Sequence, residues 1–231
     1  MHIQGLQKLT LLDYPGRVAC TVFTAGCNFR CPFCHNAFLV THVDPENDIP
    51  EEEVFAFLKK RKGILDGVCV TGGEPLLAQD LEQFLRKIKD LGYLVKLDTN
   101  GSNAARLKYL AGQGLLDYVA MDIKNSPEKY GMTAGIEGYG MENVKESASF
   151  LIQGNIPYEF RTTVVREFHK REDFEEIGRW LSGAEHYYLQ RFVDSGDLIS
   201  PGLRAYTKEI MEQALEIVKK YIPSAELRGM E

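Results

Sequence analysis

A chain of 231 residues with 44% hydrophobic content can bury one sizeable core, and its aromatic and charged fractions exclude wholesale disorder. The formal net charge of −6 excludes nucleic acid as the main ligand, since phosphate binding needs an excess of Lys and Arg on one face. No apolar run reaches the roughly 20 residues of a spanning helix and no signal-like leader is visible, so no membrane is involved and the cytoplasm is the expected compartment.

Strand-like and helix-like segments then alternate along the chain. Residues 18–24 are rich in β-branched side chains and predict a strand. Residues 51–61 predict a helix, with Pro50 near its start and Val54, Phe55 and Leu58 on one face. The basic run Lys59, Lys60, Arg61, Lys62 falls at the end of that helix, where cations suit the helix dipole. Residues 68–71 predict a short buried strand. Residues 78–91 predict an amphipathic helix carrying Leu81, Phe84, Leu85, Ile88 and Leu91, stopped by Gly92.

The alternation continues with strands at 94–97, 118–123, 158–165 and 187–190. The predicted helices between and after them span 104–110, 142–153, 173–181 and 204–221. Six strand–helix units imply a parallel sheet with helices outside, and six are too few for a full eight-fold barrel. The expected fold is α/β, a partial (β/α)6 TIM-like barrel. It forms a single domain over 1–231, with a short N-terminal extension at 1–17 and a cysteine loop at 25–36. Residues 131–140, between two glycines, are expected to form a mobile loop.

Five cysteines in a reducing compartment point to metal binding or catalysis rather than to disulfides. Cys27, Cys31 and Cys34 lie within eight residues, directly after the first predicted strand. Cys20 and Cys69 sit inside predicted strands and read as small core residues. Three clustered thiolates can hold an iron–sulfur cluster with one iron left open. Zinc is the alternative, with His35 or His42 as fourth ligand, although the three-then-two spacing suits zinc less well.

Polar and glycine residues stand at the predicted C-terminal ends of the strands, where ligands bind in parallel β/α folds. The second strand ends in Thr71, Gly72, Gly73 and Glu74, the third in Asp98, Thr99, Asn100 and Gly101. Taken singly, each segment also reads as an ordinary turn. The fourth strand ends in Asp122 and Lys124, two residues apart and so on one face, a spacing that a plain structural ion pair shares. Arg161 on the fifth strand is placed to face the same cleft.

The spacing C-x3-C-x2-C, with Phe33 before the last Cys, resembles the radical S-adenosylmethionine (SAM) superfamily. The resemblance implies that Cys27, Cys31 and Cys34 bind three irons of a [4Fe–4S] cluster and that the fourth iron takes the amino and carboxylate groups of SAM. Electron transfer from the cluster would then release a 5′-deoxyadenosyl radical. Thr71-Gly72-Gly73-Glu74 is similar to the GGE motif that holds the SAM amino group, with Glu74 bracing the loop. Asp98-Thr99-Asn100-Gly101 and Asp122-x-Lys124 look like the matching segments of glycyl-radical enzyme activating enzymes. That likeness implies Lys124 at the SAM carboxylate, with Asp98 and Asp122 holding the cofactor through a bound monovalent cation.

Cys34-His35-Asn36 is similar to these activating enzymes in general, whereas the opening run from Gly5 to Gly16, with Met121 to Pro127, resembles one subgroup, the anaerobic ribonucleoside-triphosphate reductase activating proteins. Asp13-Tyr14-Pro15-Gly16 stands where formate-lyase activating enzymes carry D-G-P-G. The implied reaction is removal of a hydrogen atom from a glycine Cα of a partner glycyl-radical enzyme, expected to be an anaerobic ribonucleotide reductase. The implied electron donor is a flavodoxin or ferredoxin. The remaining cysteines leave none for a second cluster. Other glycyl-radical enzymes, a peptide or a small molecule are alternative substrates, and a zinc-binding interaction module is the alternative of another class.

Overall fold

The computed structural model describes residues 1–230. Eight strands form one sheet: β1 (Ile3–Thr10), β2 (Ala19–Thr24), β3 (Gly67–Gly72), β4 (Leu94–Thr99), β5 (Tyr118–Asp122), β6 (Tyr158–Val164), β7 (Tyr187–Arg191) and β8 (Glu226–Arg228). Their order in the sheet is their order in the chain. β1 runs antiparallel to β2, and every later pairing is parallel.

Helices fill the connections: α1 (Ala37–Thr41), α2 (Glu51–Lys60), α3 (Leu81–Asp90), α4 (Ala104–Gly112), α5 (Tyr130–Ala134), α6 (Glu142–Ile152), α7 (Arg171–Trp180) and α8 (Lys208–Lys219). The result is an open, partial TIM-type barrel whose six expected strand–helix units correspond to β2–β7 and the helices that follow them. The structure adds two edge strands. β1 lies within the expected N-terminal extension, and β8 follows the last helix. No described helix is long and apolar enough to cross a membrane.

The sheet separates two environments, and side-chain alternation decides which residue enters each. Val68 and Val70 on β3, Val95 and Leu97 on β4, and Val119 and Met121 on β5 are fully buried in the apolar core cluster that the helices complete. α3 buries Leu81, Phe84, Leu85 and Ile88 in that core, at about 1.5–3 kcal/mol for each side chain removed from water. The alternate residues are polar: Cys69 on β3, Lys96 and Asp98 on β4, Asp122 on β5, Glu159 and Arg161 on β6. They face each other inside the barrel and bond across it.

Two local expectations change. The helix expected over 78–91 is shorter, because Pro75–Leu77 form a 3₁₀ turn capped by the Glu74 carboxylate. The stretch 131–140 does not read as one loop. It begins within α5, whose Tyr130 is fully buried, and α5 ends on Gly135 at φ +73°. A Cβ on Gly135 would lie 2.1 Å from the Arg30 carbonyl oxygen, and Arg30 N–H donates to Ala134 O at 2.8 Å. This segment therefore packs directly on the cysteine loop.

Candidate functional site

The cysteine loop leaves the C-terminal end of β2 and folds over the open end of the barrel. Cys27, Cys31 and Cys34 all line one cleft of about 370 Å³. The loop is fixed from several sides. Phe29 packs edge-on against Tyr130 and Tyr139. Phe29 N–H also donates to the Cys27 sulfur at 3.3 Å. His35 bonds the Val193 carbonyl through Nε2 at 2.8 Å and stacks on Phe192, so it ties the loop to the segment after β7. Burial raises all three thiols, Cys31 to about 11. Among the described residues, no three His, Cys, Asp or Glu side chains converge closely enough to hold a single metal ion.

The β3 end docks against this loop through its glycines. Gly73 N–H donates to Thr24 O and Glu74 N–H to Gly26 O, both at 2.8 Å. A Cβ on Gly73 would lie 2.0 Å from Gly26 O, and one on Gly72 would lie 2.3 Å from Thr24 O. Gly72, at φ +112°, also adopts a backbone conformation that suits glycine. The Gly72 carbonyl accepts from Asn36 Nδ2 at 2.9 Å. The two glycines thus let one loop touch another, and the loop edge that remains lines the cleft.

Glu74 is turned away from the cleft and is 2% exposed. One carboxylate oxygen accepts from Leu76 N–H at 3.0 Å and Thr99 Oγ1 at 2.8 Å; the other accepts from Asn100 N–H at 2.6 Å. Burial pushes this carboxyl up to about 7 while the three donors pull against it.

Opposite the thiols lies a chain of charges. Lys124 Nζ donates to Asp122 Oδ2 at 3.1 Å, and Arg161 Nε donates to Asp122 Oδ1 at 3.0 Å. Arg161 Nη1 also reaches Asp98 Oδ2 at 3.2 Å. Burial alone would raise both carboxyls. Lys124 and Arg161 instead hold Asp122 at about 2, and Arg161 and Lys96 hold Asp98 below the usual range. Behind Lys124, the buried ring of His169 accepts Val165 N–H on Nδ1 at 3.1 Å, which leaves Nε2 to donate to the Lys124 carbonyl at 2.9 Å. Burial lowers His169, in keeping with a neutral ring.

Of the residues singled out from sequence, Cys27, Cys31, Cys34, Phe33, Thr71, Gly72, Gly73, Asp98, Thr99, Asp122, Lys124 and Arg161 line the cleft. Glu74 supports it from behind. Cys20 is buried in the apolar core, whereas Cys69 lies inside the barrel with its thiol 3.7 Å from Asp98 Oδ1. Asn100, from the same strand end as Asp98, also lines it, and the structure adds Asp13, Asn36, Thr163 and Gln190. Thr163 was legible as the next inward position two residues beyond Arg161. Asp13 was not, because it arrives by the chain folding back after β1, where its carboxylate accepts from Thr21 Oγ1.

A family model described as the radical SAM superfamily matches residues 21–181. A relative from Methanocaldococcus jannaschii, provisionally named a glycyl-radical enzyme activating enzyme, is 30% identical over 98% of this chain and 95% of its own. The pyruvate formate-lyase-activating enzyme of Staphylococcus aureus is 31% identical over 54% of this chain and 53% of that one. Among solved structures, Streptococcus suis SuiB bound to S-adenosylmethionine matches with a TM-score of 0.69 at 16% identity, over 89% of this chain and 49% of SuiB. A domain of pyruvate-formate lyase-activating enzyme from Bacteroides vulgatus matches with a TM-score of 0.57 at 16% identity, over 71% of this chain and 99% of that domain. The match thus takes in about half the length of the Staphylococcus enzyme and of SuiB. At 16% identity, the structural likenesses bear on fold alone.

Proposed function

This chain belongs to the radical SAM superfamily, among the glycyl-radical enzyme activating enzymes, and from that premise we propose that it abstracts a glycine Cα hydrogen atom from an anaerobic ribonucleotide reductase. The observation that supports this most is the cleft itself. It brings three thiols from one loop face to face with Lys124, just after β5, and Arg161, within β6.

The donor set fits a [4Fe–4S] cluster. Three cysteines leave one iron without a protein ligand. A lone zinc ion, with bonds of about 2.3 Å to each sulfur, would need the side chains drawn into much closer convergence. Cys27, Cys31 and Cys34 would hold the cluster. SAM would lie between it and the strand ends. An ammonium needs acceptors; the carbonyls of Thr71 and Gly72 each accept one side-chain hydrogen bond, from Thr24 Oγ1 and Asn36 Nδ2, and with Gly73 their second lone pairs would serve it at the cleft edge. Lys124 would meet the SAM carboxylate. Phe33 would pack beside the cofactor, and Asp98, Thr99, Asp122 and Arg161 would keep Lys124 and the sugar end in place. When bound, the cluster and SAM would supply the one-electron chemistry that hydrogen-atom abstraction needs.

The protein's share is positioning and exclusion of side reactions. The charge chain is preformed, so Lys124 does not have to be ordered when the cofactor arrives. A flavodoxin or ferredoxin would supply the electron. The test is anaerobic: reconstitute the protein with iron and sulfide, reduce it, and record electron paramagnetic resonance spectra with and without SAM. A [4Fe–4S]⁺ signal that changes on adding SAM, with 5′-deoxyadenosine released, is the expected result. Incubation with anaerobic ribonucleotide reductase should then give a glycyl-radical signal. The same signal on formate lyase alone would move the assignment to that partner. A cluster indifferent to SAM would overturn the chemistry.

A further inference from the structure

The barrel interior holds one fixed cation that the cofactor site above does not use. Lys96 lies on β4 between Val95 and Leu97, and its side chain is 1% exposed. Its ammonium is bonded to Asp98 Oδ1 and stands 4.0 Å from the Cys69 sulfur. The other oxygen of Asp98 faces Arg161 Nη1 at 3.2 Å. Asp122 Oδ1 faces Arg161 Nε at 3.0 Å, and its Oδ2 faces Lys124 Nζ at 3.1 Å.

Every oxygen of the two carboxylates therefore has a protein cation as partner. The likeness to other activating enzymes implied a monovalent cation on Asp98 and Asp122. A hard cation is held by oxygens that replace its water. An oxygen already facing an ammonium or guanidinium offers an added cation like-charge repulsion instead, and inside a protein that repulsion is poorly screened. Even with Lys124 turned to the SAM carboxylate, Lys96 and Arg161 remain for Asp98 and Asp122, while Glu159, 3.9 Å from Arg161, is paired with Arg228 at 2.7 Å.

We propose that Lys96, together with Arg161, takes the place of the monovalent cation, so that SAM binding to this protein needs no alkali-metal ion. Lys96 is then a positioning residue: it acts on the cofactor only through Asp98. The proposal rests on the SAM site described above, and its failure is separable from the failure of that site.

The experiment is a titration of SAM into the reconstituted, reduced protein, read by the change in the cluster's paramagnetic resonance spectrum. It is run in potassium chloride, in sodium chloride and in N-methylglucamine chloride at equal ionic strength. The wild type should give one dissociation constant in all three. Lys96→Met should bind SAM about tenfold more weakly in N-methylglucamine than in potassium or sodium, because the vacated place now needs an ion. Lys96→Arg should stay indifferent to the salt. A wild-type affinity that falls about tenfold without alkali-metal ions overturns the proposal while leaving the SAM site standing. So does a Lys96→Met protein whose weakened binding no alkali ion restores. Absence of SAM binding in every salt overturns the site and the proposal together. Should Lys96→Met fail to fold, the wild-type comparison decides alone.

Discussion

The Glu74 carboxylate accepts the backbone N–H of Asn100 at 2.6 Å, so the turn after β3 carries the turn after β4. With Leu76 N–H and Thr99 Oγ1 on the other oxygen, one buried side chain satisfies donors from two strand ends. Removing it leaves those donors buried and unpaired, at about 1–3 kcal/mol each before relaxation.

That carboxyl also sets a pH dependence. Burial raises Glu74 to about 7, above its unfolded value of about 4.3. A raised folded value means that the folded state binds the proton more tightly. The resulting stabilisation is complete below about pH 4.3 and is lost as pH rises through about 7. Gln cannot titrate. The stability of wild type relative to Glu74→Gln should therefore decline between pH 5 and 8, by at most about 1.4 kcal/mol per unit. Urea unfolding of the two apoproteins across that range measures it, and a difference that grows with pH would contradict the sign.

Cysteine replacement should divide the five thiols into two groups. Cys27→Ala, Cys31→Ala and Cys34→Ala should each lose the cluster, read as iron and sulfide content after anaerobic reconstitution. Cys20→Ala and Cys69→Ala should keep it, the first with a core loss of about 1 kcal/mol. Iron that depends on Cys20 or Cys69 would refute the three-thiol assignment.

Lys124→Ala should separate cluster assembly from cofactor binding. The iron content should stay near the wild-type value, whereas SAM affinity should fall by roughly thirtyfold, or about 2 kcal/mol for a lost charge-assisted hydrogen bond. Calorimetric titration of SAM into the reconstituted protein gives the number. Unchanged affinity would remove Lys124 from the cofactor site.

Gly73→Ala tests the contact between the β3 turn and the cysteine loop. Its Cβ would sit 2.0 Å from Gly26 O, so the two loops must part. Cluster retention and SAM affinity should fall together, with a stability loss of about 2 kcal/mol or more. Normal iron content with normal SAM affinity would show that the contact is dispensable.

Much of this was legible in the sequence for a physical reason. β2 and β3 are rich in β-branched residues, β6 and β7 carry aromatic ones, and α3 carries a full apolar stripe, so local signals agree with the final packing. β1 was harder to read. Gln4, Gly5, Gln7 and Lys8 are weak strand formers, and only Ile3 and Thr10 of that strand are buried, so pairing with β2 rather than propensity makes it a strand. β8 has three residues and owes its form to β7. In the site, the strand-end residues declared themselves by position. Lys96 did not, because a lysine in a strand reads as a solvent-facing residue. Only the curvature of the sheet encloses that face and turns a surface charge into a buried one.

The sheet order β1 through β8 has a consequence for how the molecule comes into being. No strand inserts between two earlier ones, so a chain emerging from the ribosome meets each pairing partner in the strand it has just finished. Each closure spans only the one connection between consecutive strands, so no pairing has to wait for a distant part of the chain. The loop with Cys27, Cys31 and Cys34 is out after the first parallel strand, whereas Lys124 and Arg161 follow only with β5 and β6. The birth order of the polypeptide thus delivers the thiols well before the charges that face them.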